Sequence, residues 1–377
     1  MCLIHQKDQV LSNFRLIMDI DGLSLPDRYR PDGTILKGGM SSVLPCIDLV
    51  LERKVAIKVL STGSEFSRVQ DEIKALQKIR SNHVVQIYDI VVGSSQSERV
   101  IGIVEEYLQG VDLTCIDSKE LNAGDFLKII FQISSGLSDI HEQGLVHRDI
   151  KPTNMKYDQE GLLKIFDFGL TRIQGLNSHT QGFKGTPCFA APELCTRGHV
   201  FFTEAVDVYA FGITILSLFQ KDLPEGMLQI PPDLSHVPSF REVIHFAVPD
   251  PVIDLLDLTL DEVPDNRPKV QTIRDTVKKY LLSNRHRAII ATPQRTYSLE
   301  EKNQAVRLSY TNFGQIEIVY NGLDFKVLNV SGSVFINNTT CKKGDLLPGS
   351  CVITLGDEKS PSREFFTVDI SHPEVVI

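Results

Sequence analysis

The stretch "VHRDIKPTN", Val146 to Asn154, places three chemically complementary side chains close together. Asp149 can accept or orient the proton of an attacking hydroxyl, Lys151 can neutralise a γ-phosphate, and Asn154 can bind magnesium. Phosphoryl transfer depends more on such positioning and charge neutralisation than on covalent chemistry by the protein. This stretch therefore predicts a site for phosphoryl transfer.

Further pieces of the same chemistry flank this stretch in order. "FDFGL" brings Asp167, 18 residues after Asp149, as a second oxygen ligand of the kind that suits a hard cation. Upstream, "VAIK" places Lys58 on a predicted strand, and Glu72 on the next predicted helix can pair with it. Downstream follow "GTPCFAAPE" and "DNRP". The order and the spacing of these pieces make a chance match an inadequate explanation.

This ordered set resembles the eukaryotic-like (Hanks-type) serine/threonine protein kinases of the bacterial branch, over roughly residues 28–281. "DRYRPDGTILKGGMSSV" also resembles the opening of that branch. The resemblance implies an α+β, bilobal protein kinase fold with a β-rich N-lobe (28–108) and a helical C-lobe (109–281). It also implies ATP and Mg²⁺ as cofactors, with Mn²⁺ as an alternative metal.

The resemblance also implies a role for each matching residue. Lys58 would anchor the α- and β-phosphates and Glu72 would hold Lys58. Asp149 would be the catalytic base, with Lys151 and Asn154 in the same loop and with Asn154 and Asp167 as metal ligands. The other implied positions are Gly38 and Gly39 in the phosphate loop, Val43 and Ala56 around the adenine, the backbone of Glu106 and Leu108 at its edge, His147 and Phe168 in the internal spine, Asp207 as a brace of the catalytic loop, and Glu193 paired with Arg267.

Two features concern the acceptor and the activation loop. Lys151, two residues after Asp149, and Thr186 in "GTP" are typical of serine/threonine kinases. Arg148 resembles the arginine of kinases whose activation loop is held by a phosphate, which would make charge-assisted contacts with the guanidinium. The predicted sites of autophosphorylation are Ser178 and Thr180, with Thr171 a weaker candidate.

Two residues depart from the family pattern. In "ILKGGMSSV", Leu36 stands where the first glycine of the phosphate loop is usual, and a leucine excludes φ > 0 at tolerable cost. We expect this change to weaken nucleotide affinity more than chemistry. The resemblance assigns Glu106-Tyr107-Leu108 to the hinge between the lobes, and Glu105 stands directly before it, at a position that is normally apolar or threonine. A carboxylate there needs a partner near Lys58 or Glu72, or a raised pKa, unless the alignment is off by one.

Composition and charge limit the class of protein. The hydrophobic fraction is 42%, the charged fraction 23%, and the longest strongly apolar run, "AFGITILSLF", is about half the ~20 residues of a membrane span. The seven cysteines form no C-x-x-C pair, which fits a reducing cytoplasm. The net charge of −9 disfavours nonspecific nucleic-acid binding. We therefore predict a cytoplasmic protein with no membrane span.

The remaining segments are assigned by pattern. Residues 1–27 are an N-terminal extension, 282–304 a basic linker, and 305–377 a small all-β, sandwich-like accessory domain. The basic run "KKYLLSNRHRAIIATPQR" is interpreted as a solvated linker, with an anionic docking site as the alternative. Short strands and the hairpin turn Asn321-Gly322 support the β-rich assignment. This domain faintly resembles forkhead-associated domains but lacks their arginine and serine–histidine signature, so a structural or partner-binding role is expected.

Two other functions compete with the serine/threonine protein kinase. An inactive pseudokinase scaffold is favoured by Leu36 and Glu105, but the charged groups of the site are all present. A small-molecule phosphotransferase would share the lobed fold but lacks the segment ending in "APE" and its arginine partner. The expected partners are protein substrates with serine or threonine acceptors, a second copy for phosphorylation in trans, and a protein bound by the β-rich domain.

Overall fold

The computed structural model describes residues 19–20, 23–37, 42–61, 73–74, 76–95, 98–168, 172–173, 187–195, 202–220, 222–360 and 362–372. The chain divides into two compact units. The first is drawn from Met1–Asn122, Gln132–Ala247 and Ile253–Ile273, and the second from Ala123–Phe131, Val248–Val252 and Arg274–Ile377. Within the described part, no helix combines the length and the apolar character that a membrane crossing requires.

An antiparallel sheet begins the first unit, in the hydrogen-bonded order β3-β5-β6-β8-β7, with β4 also paired to β5. In β5, buried and partly exposed residues alternate, since successive side chains of a strand point to opposite faces. The predicted hairpin around "GSSQSE" joins β7 to β8. The strands of this region, together with the short pair β1 and β2, are β1 (Asp19–Ile20), β2 (Leu23–Ser24), β3 (Tyr29–Pro31), β4 (Leu36–Lys37), β5 (Ser42–Asp48), β6 (Arg53–Ser61), β7 (Ile87–Ser95) and β8 (Glu98–Glu106).

One face of this sheet packs into a hydrophobic core, and the other carries predicted site residues. One face holds a core cluster that includes Leu44, Ile57 and Val104, all fully buried. On the opposite face, the register sets Val43 against Lys58 and Ala56 against Glu105. Side chains directly opposite each other in an antiparallel pair share a face, so these four residues line the same side. That side of the sheet lines the candidate site.

The predicted N-terminal extension contributes to this core. Leu23 in β2 is completely buried and belongs to the same cluster as Ile57. It packs over Gly102, where a Cβ atom would lie 2.5 Å from the Leu23 side chain, so any larger residue would displace it. Part of the segment assigned to an extension therefore belongs to the core of the first sheet, because the Leu23 side chain fills the space that Gly102 leaves open.

Helices and two short antiparallel strand pairs follow the sheet. The stretch "AVDVYAFGITILSLF" forms a helix that is buried on nearly every side, as expected of a helix that is apolar all round. The short pairs β10–β11 and β9–β12 frame the catalytic stretch. The elements of this region are α1 (Ala123–Glu142), β9 (Leu145–Val146), β10 (Met155–Tyr157), β11 (Leu163–Ile165), β12 (Arg172–Ile173), α2 (Glu204–Phe219), α3 (Phe240–Val243), α4 (Asp250–Thr259) and α5 (Val270–Leu281).

The second unit contains two antiparallel sheets around one core. The larger has the order β14-β13-β21-β20-β18-β19 and the smaller β15-β16-β17. Apolar residues from both sheets, among them Ile290, Ile318 and Phe366, form a single cluster. The strands are β13 (Ala288–Ala291), β14 (Thr296–Leu299), β15 (Ala305–Tyr310), β16 (Gly314–Tyr320), β17 (Phe325–Gly332), β18 (Val334–Ile336), β19 (Thr339–Thr340), β20 (Cys351–Leu355) and β21 (Glu364–Ile370).

The segment 282–304 differs from the expected basic linker. Its residues form β13 and β14, and β13 pairs along its whole length with β21. The physical reason is visible in "AIIA", where Ala288 and Ile290 are fully buried and alternate with more exposed neighbours. The arginines that suggested a linker lie at the exposed ends of these strands. The β-rich region thus begins about 17 residues before the predicted boundary at 305, at Ala288.

Adjacent phenylalanines in β21 provide a matched test of this core. Phe366 is fully buried, whereas Phe365 is 55% exposed. We expect Phe366→Ala to lower the free energy of unfolding of the C-terminal sheets by about 3–5 kcal/mol, since it removes buried apolar surface and leaves a cavity. Phe365→Ala should change it by less than about 1 kcal/mol. Urea denaturation followed by circular dichroism measures both, and equal effects would contradict a core shared by the two sheets.

Candidate active site

The catalytic stretch is arranged around Asp149. Lys151 donates from Nζ to both carboxylate oxygens of Asp149, at 2.9 and 2.8 Å. Asn154, buried in a short 3₁₀ turn that starts at Pro152, donates from Nδ2 to the Asp149 carbonyl and to its Oδ2, both at 2.8 Å. The amide oxygen of Asn154 therefore points away from Asp149. The loop holds one carboxylate between a cation and an amide.

Asp207 in α2 holds this loop from behind. Its carboxylate accepts the backbone N–H of His147 and that of Arg148, both at 2.8 Å, and a ring nitrogen of His141 lies 2.9 Å away. Burial alone would raise the pKa of Asp207, but the hydrogen bond and charge of His141 outweigh it and hold the pKa below its usual value. The brace is therefore ionised and tied to the backbone of the loop.

Two of the predicted site residues have left-handed backbone conformations. The φ angle is 71° at Arg148 and 67° at Asp167, and neither residue is a glycine. Such conformations cost on the order of 1–3 kcal/mol each and persist only where the surroundings impose them. The two bonds from Asp207 supply this restraint at Arg148. The guanidinium of Arg148 also lies 3.5 Å from the centre of the Phe202 ring, in a cation–π contact.

Asp167 connects the loop region to the sheet. Its carboxylate forms an ion pair with Lys58, whose side chain is only 6% exposed. The next residue, Phe168, packs its ring against that of His147, with centroids 4.9 Å apart. Burial lowers the pKa of His147, so this ring is neutral and serves packing rather than charge. Lys58 and Asp167 thus meet across the cleft between the sheet and the helical part.

Glu105 lies on the cleft face of the sheet, opposite Ala56. Burial raises the pKa of its carboxyl group to about 7; the ammonium of Lys58 opposes this rise, and the carboxylates of Asp167 and Glu106 add to it. Glu105 is the last residue but one of β8, directly before Glu106. Of the two outcomes expected for a carboxylate here, both proximity to Lys58 and a raised pKa are present.

A second lysine holds the hinge. Lys164 in β11 is buried and lies 3.0 Å from Glu106 and 3.7 Å from Asp158. The Glu106 carboxylate also accepts the N–H of Gln86. The backbone N–H of Glu106 donates to the Gln86 carbonyl at 2.9 Å, so this N–H is not available to a nucleotide. The carbonyl of Glu106 is left as the group that could read the adenine edge.

A further ion pair lies between the segment after the activation loop and the helical part. Arg267 donates from both terminal nitrogens to Glu193, at 2.8 and 2.9 Å, and from Nε to the Asp261 carbonyl. The guanidinium is buried, and bidentate geometry makes such a pair strong and directional. This arrangement fixes the "APE" segment to the loop before α5.

The wall around a nucleotide base is present in part. Val43 and Ala56 share the cleft face, with Ala56 buried, and Leu108 follows β8 by two residues. Leu36 has extended backbone in β4, pairs with Val43 and exposes 61% of its surface, so this position needs no glycine. Several predicted site residues lie outside the described residues: Gly38, Gly39, Glu72, Thr171, Ser178, Thr180 and Thr186.

The donor set fits a magnesium ion bridging phosphates. Asp167 offers a carboxylate that is 39% exposed toward the cleft, and Asn154 keeps an amide oxygen that does not face Asp149. Carboxylate and amide oxygens are the ligands that Mg²⁺ takes, usually with waters and phosphates completing its shell. When bound, the ion would neutralise charge on the phosphates.

Three supporting residues escaped prediction from the sequence. His141 contacts Asp207, Lys164 holds Glu106, and Phe202 stacks on Arg148. A lysine within the apolar strand "LLKIF" was a usable signal, because a buried lysine requires an anionic partner. Neither a histidine late in an amphipathic helix nor a phenylalanine before a helix carries such a signal.

The family assignment follows from comparison with known proteins. The model of the protein kinase domain family matches residues 29–277, well over half of the chain. The chain therefore belongs to the protein kinase family. The match covers the sheet, the catalytic loop, the Glu193–Arg267 pair and α5 up to its last turn.

Named relatives include bacterial and eukaryotic kinases. The chain is 34% identical over 241 residues to the serine/threonine-protein kinase drp72 of Corynebacterium efficiens, covering 61% of this chain and 46% of that protein. It is 31% identical over 212 residues to the serine/threonine-protein kinase PrkC of Bacillus subtilis, covering 54% and 32%. It is 29% identical over 318 residues to the yeast (Saccharomyces cerevisiae) serine/threonine-protein kinase TOS3, covering 71% and 53%. The matched regions span about a third to a half of these relatives.

Replacing Lys164 tests the hinge network. Lys164→Met should lower the free energy of unfolding of the first unit by about 3–5 kcal/mol, because it leaves the Glu106 and Asp158 carboxylates without their buried cation. Lys156→Met on the neighbouring strand is the matched control, since Lys156 is more exposed and lies 3.7 Å from Asp112. It should cost less than about 1 kcal/mol. Chemical denaturation of both variants decides, and similar losses would show that Lys164 has no special role.

The raised pKa of Glu105 predicts a pH-dependent stability difference. In the unfolded chain this group loses its proton near pH 4.5, and in the folded protein only near pH 7. Between these values the folded state binds more protons, so the contribution of Glu105 to stability falls as pH rises and stays reduced above pH 7. The unfolding free energy of Glu105→Gln, minus that of the wild type, should therefore increase from pH 5 to pH 8. Parallel profiles in urea titrations would contradict this.

Proposed function

We propose that this chain is an ATP- and magnesium-dependent serine/threonine protein kinase. The proposal rests on one observation above the others: Asp149, Lys151 and Asn154 form a single hydrogen-bonded group, and Asp167 and Lys58 meet across the cleft. The similarity to proteins named as serine/threonine kinases supports the choice of acceptor.

The chain's own residues suggest a division of labour. Asp149 would accept or orient the proton of the acceptor hydroxyl, since Lys151 and Asn154 fix its carboxylate. Lys151 would offer its ammonium to the transferring phosphate, and Lys58 would bind the phosphates nearer the base. Asn154 and Asp167 would hold the magnesium ion. Because these groups bring opposite charges to developing negative charge, they would stabilise the transition state without covalent participation.

Regulation forms the less direct part of the proposal. We infer autophosphorylation at Ser178 or Thr180, with Thr171 as a weaker site, and transfer in trans within a homodimer. Arg148 would receive the phosphate, in competition with its contact on the Phe202 ring. The two C-terminal sheets would act as an accessory domain that binds a protein partner. A cytoplasmic location remains a prediction from cysteine usage.

Asp149→Asn is the direct test of catalysis. We expect the variant to lose about 10²–10⁴-fold in turnover, because a general base contributes in this range. Radiolabelled phosphate transfer from ATP with magnesium to the chain itself and to casein measures it, with ATP up to millimolar and phosphoamino-acid analysis of the product. Asp222→Asn, at an exposed position, is the matched control and should keep full activity.

The same assay distinguishes the competing functions. Absence of label from folded wild type at every ATP concentration would favour the pseudokinase scaffold. Label on an aminoglycoside instead of casein would favour the small-molecule phosphotransferase. Label on tyrosine would contradict the serine/threonine assignment.

A further inference from the structure

Glu105 is an acidic residue on an otherwise apolar part of the cleft face. Its neighbours on that face are Ala56, directly opposite on β6, and Ile103, two residues earlier on β8. Lys58 is paired with Ile103 and shares the face, so Glu105 is its diagonal neighbour. Diagonal neighbours on adjacent strands lie roughly 7–8 Å apart, within reach of long side chains. The register therefore places Glu105 within reach of Lys58, and the positive charge of Lys58 acts on the Glu105 carboxyl group.

Lys58 needs anions around it. Its side chain is 6% exposed, and a buried ammonium is expensive unless it is paired. Asp167 is its direct partner in this structure. Asp167 is also expected to serve as a metal ligand, and one carboxylate cannot satisfy both cations equally. A second carboxylate that remains near Lys58 would keep the ammonium in place whichever way Asp167 is engaged.

Glu105 is well placed to remain there. It lies on β8, which is paired with β6 continuously from Val55 opposite Glu106 to Ser61 opposite Val100. Because this ladder fixes both backbones, the separation of Glu105 and Lys58 is set by the sheet alone. The neighbouring Glu106 is held by Lys164, which further restrains the end of β8.

Building on the proposed function, we propose that Glu105 is a positioning residue for Lys58. Its carboxylate holds the ammonium from the hinge side of the cleft and keeps it directed toward the nucleotide phosphates. Glu105 itself would touch neither the phosphates nor the metal. An apolar residue or a threonine at this position could not play this part, because neither brings a negative charge.

A comparison of two ligands separates this role from a general effect on the pocket. ADP carries the phosphates that Lys58 would bind, whereas adenosine has the same base and sugar without them. Calorimetric titration of the full chain with each ligand, in magnesium and at pH 8, where a Glu105 carboxyl group with a pKa of about 7 is mostly ionised, gives both dissociation constants. We expect Glu105→Gln to weaken ADP about tenfold, the scale of one charge-assisted contact. Adenosine should change by less than about twofold.

Three further variants complete the design. Glu160→Gln, in an exposed turn, is the matched isosteric control and should bind both ligands as the wild type does. Glu105→Thr provides a second replacement should the glutamine variant fold poorly, with folding checked by near-ultraviolet circular dichroism. In the double variant Lys58→Met/Glu105→Gln, the loss of ADP affinity should be close to that of Lys58→Met alone, because the two residues would act as one unit.

The outcomes are distinct. An ADP-selective loss with non-additivity supports the proposal. Equal losses for ADP and adenosine, additive losses in the double variant, or tighter ADP binding by Glu105→Gln would each overturn it; the last would show that Glu105 only repels phosphate. If folded wild-type protein binds neither ligand, the proposed kinase function fails as well, and that result is recognisable before any variant is compared.

Discussion

The site depends on the carboxylate of Asp207. This buried carboxylate accepts hydrogen bonds from the backbone N–H groups of His147 and Arg148 and lies beside a ring nitrogen of His141. Asp207 therefore supplies a hydrogen-bond partner to three polar groups at once. Because Arg148 takes up a left-handed conformation directly before Asp149, the backbone would relax if it were not held. Asp207 therefore ties the loop that carries Asp149 to a buried helix. Lys151 and Asn154 refine a geometry that Asp207 has already imposed.

Electrostatics then joins the sheet to the helical part through two buried lysines. Lys58 extends from the sheet to Asp167, and Lys164 extends from β11 to Glu106 at the end of β8. In each case a cation from one region is satisfied by a carboxylate from the other. Buried pairs of this type contribute little net stability, but removing one partner leaves a charge that the interior cannot solvate. They restrain the relative position of the two regions, one in the cleft between Lys58 and Asp167 and one at the end of β8.

The sequence pointed to residues that the structure brings together at the candidate site, and it missed most of the contacts that support them. Asp149, Asn154 and Asp167 were recognisable because phosphoryl transfer requires these residue types at these spacings. Lys164 and His141 were not, because their partners lie far along the chain and only the fold brings them together. Glu105 was recognisable as unusual, yet its relation to Lys58 required the strand register. The segment 288–299 was predicted to be a linker because of its basic residues. It forms strands because Ala288, Ile290 and Leu299 are buried.

The pairing of β13 with β21 has a consequence for how the protein is made. Ala288 on β13 lies opposite Ile370 on β21, so a strand near the start of the second unit's sheets requires one from their end. On the ribosome, residues 288–291 emerge well before their partner exists, while the catalytic part upstream has all of its strands and can fold first. The unpaired edge of β13 stays open until residues 364–370 have been synthesised. A chain truncated before residue 364 would lack β21, the strand that lies between β13 and β20 in the larger C-terminal sheet, so that this sheet could not form, whereas the strands of the kinase region would all be present.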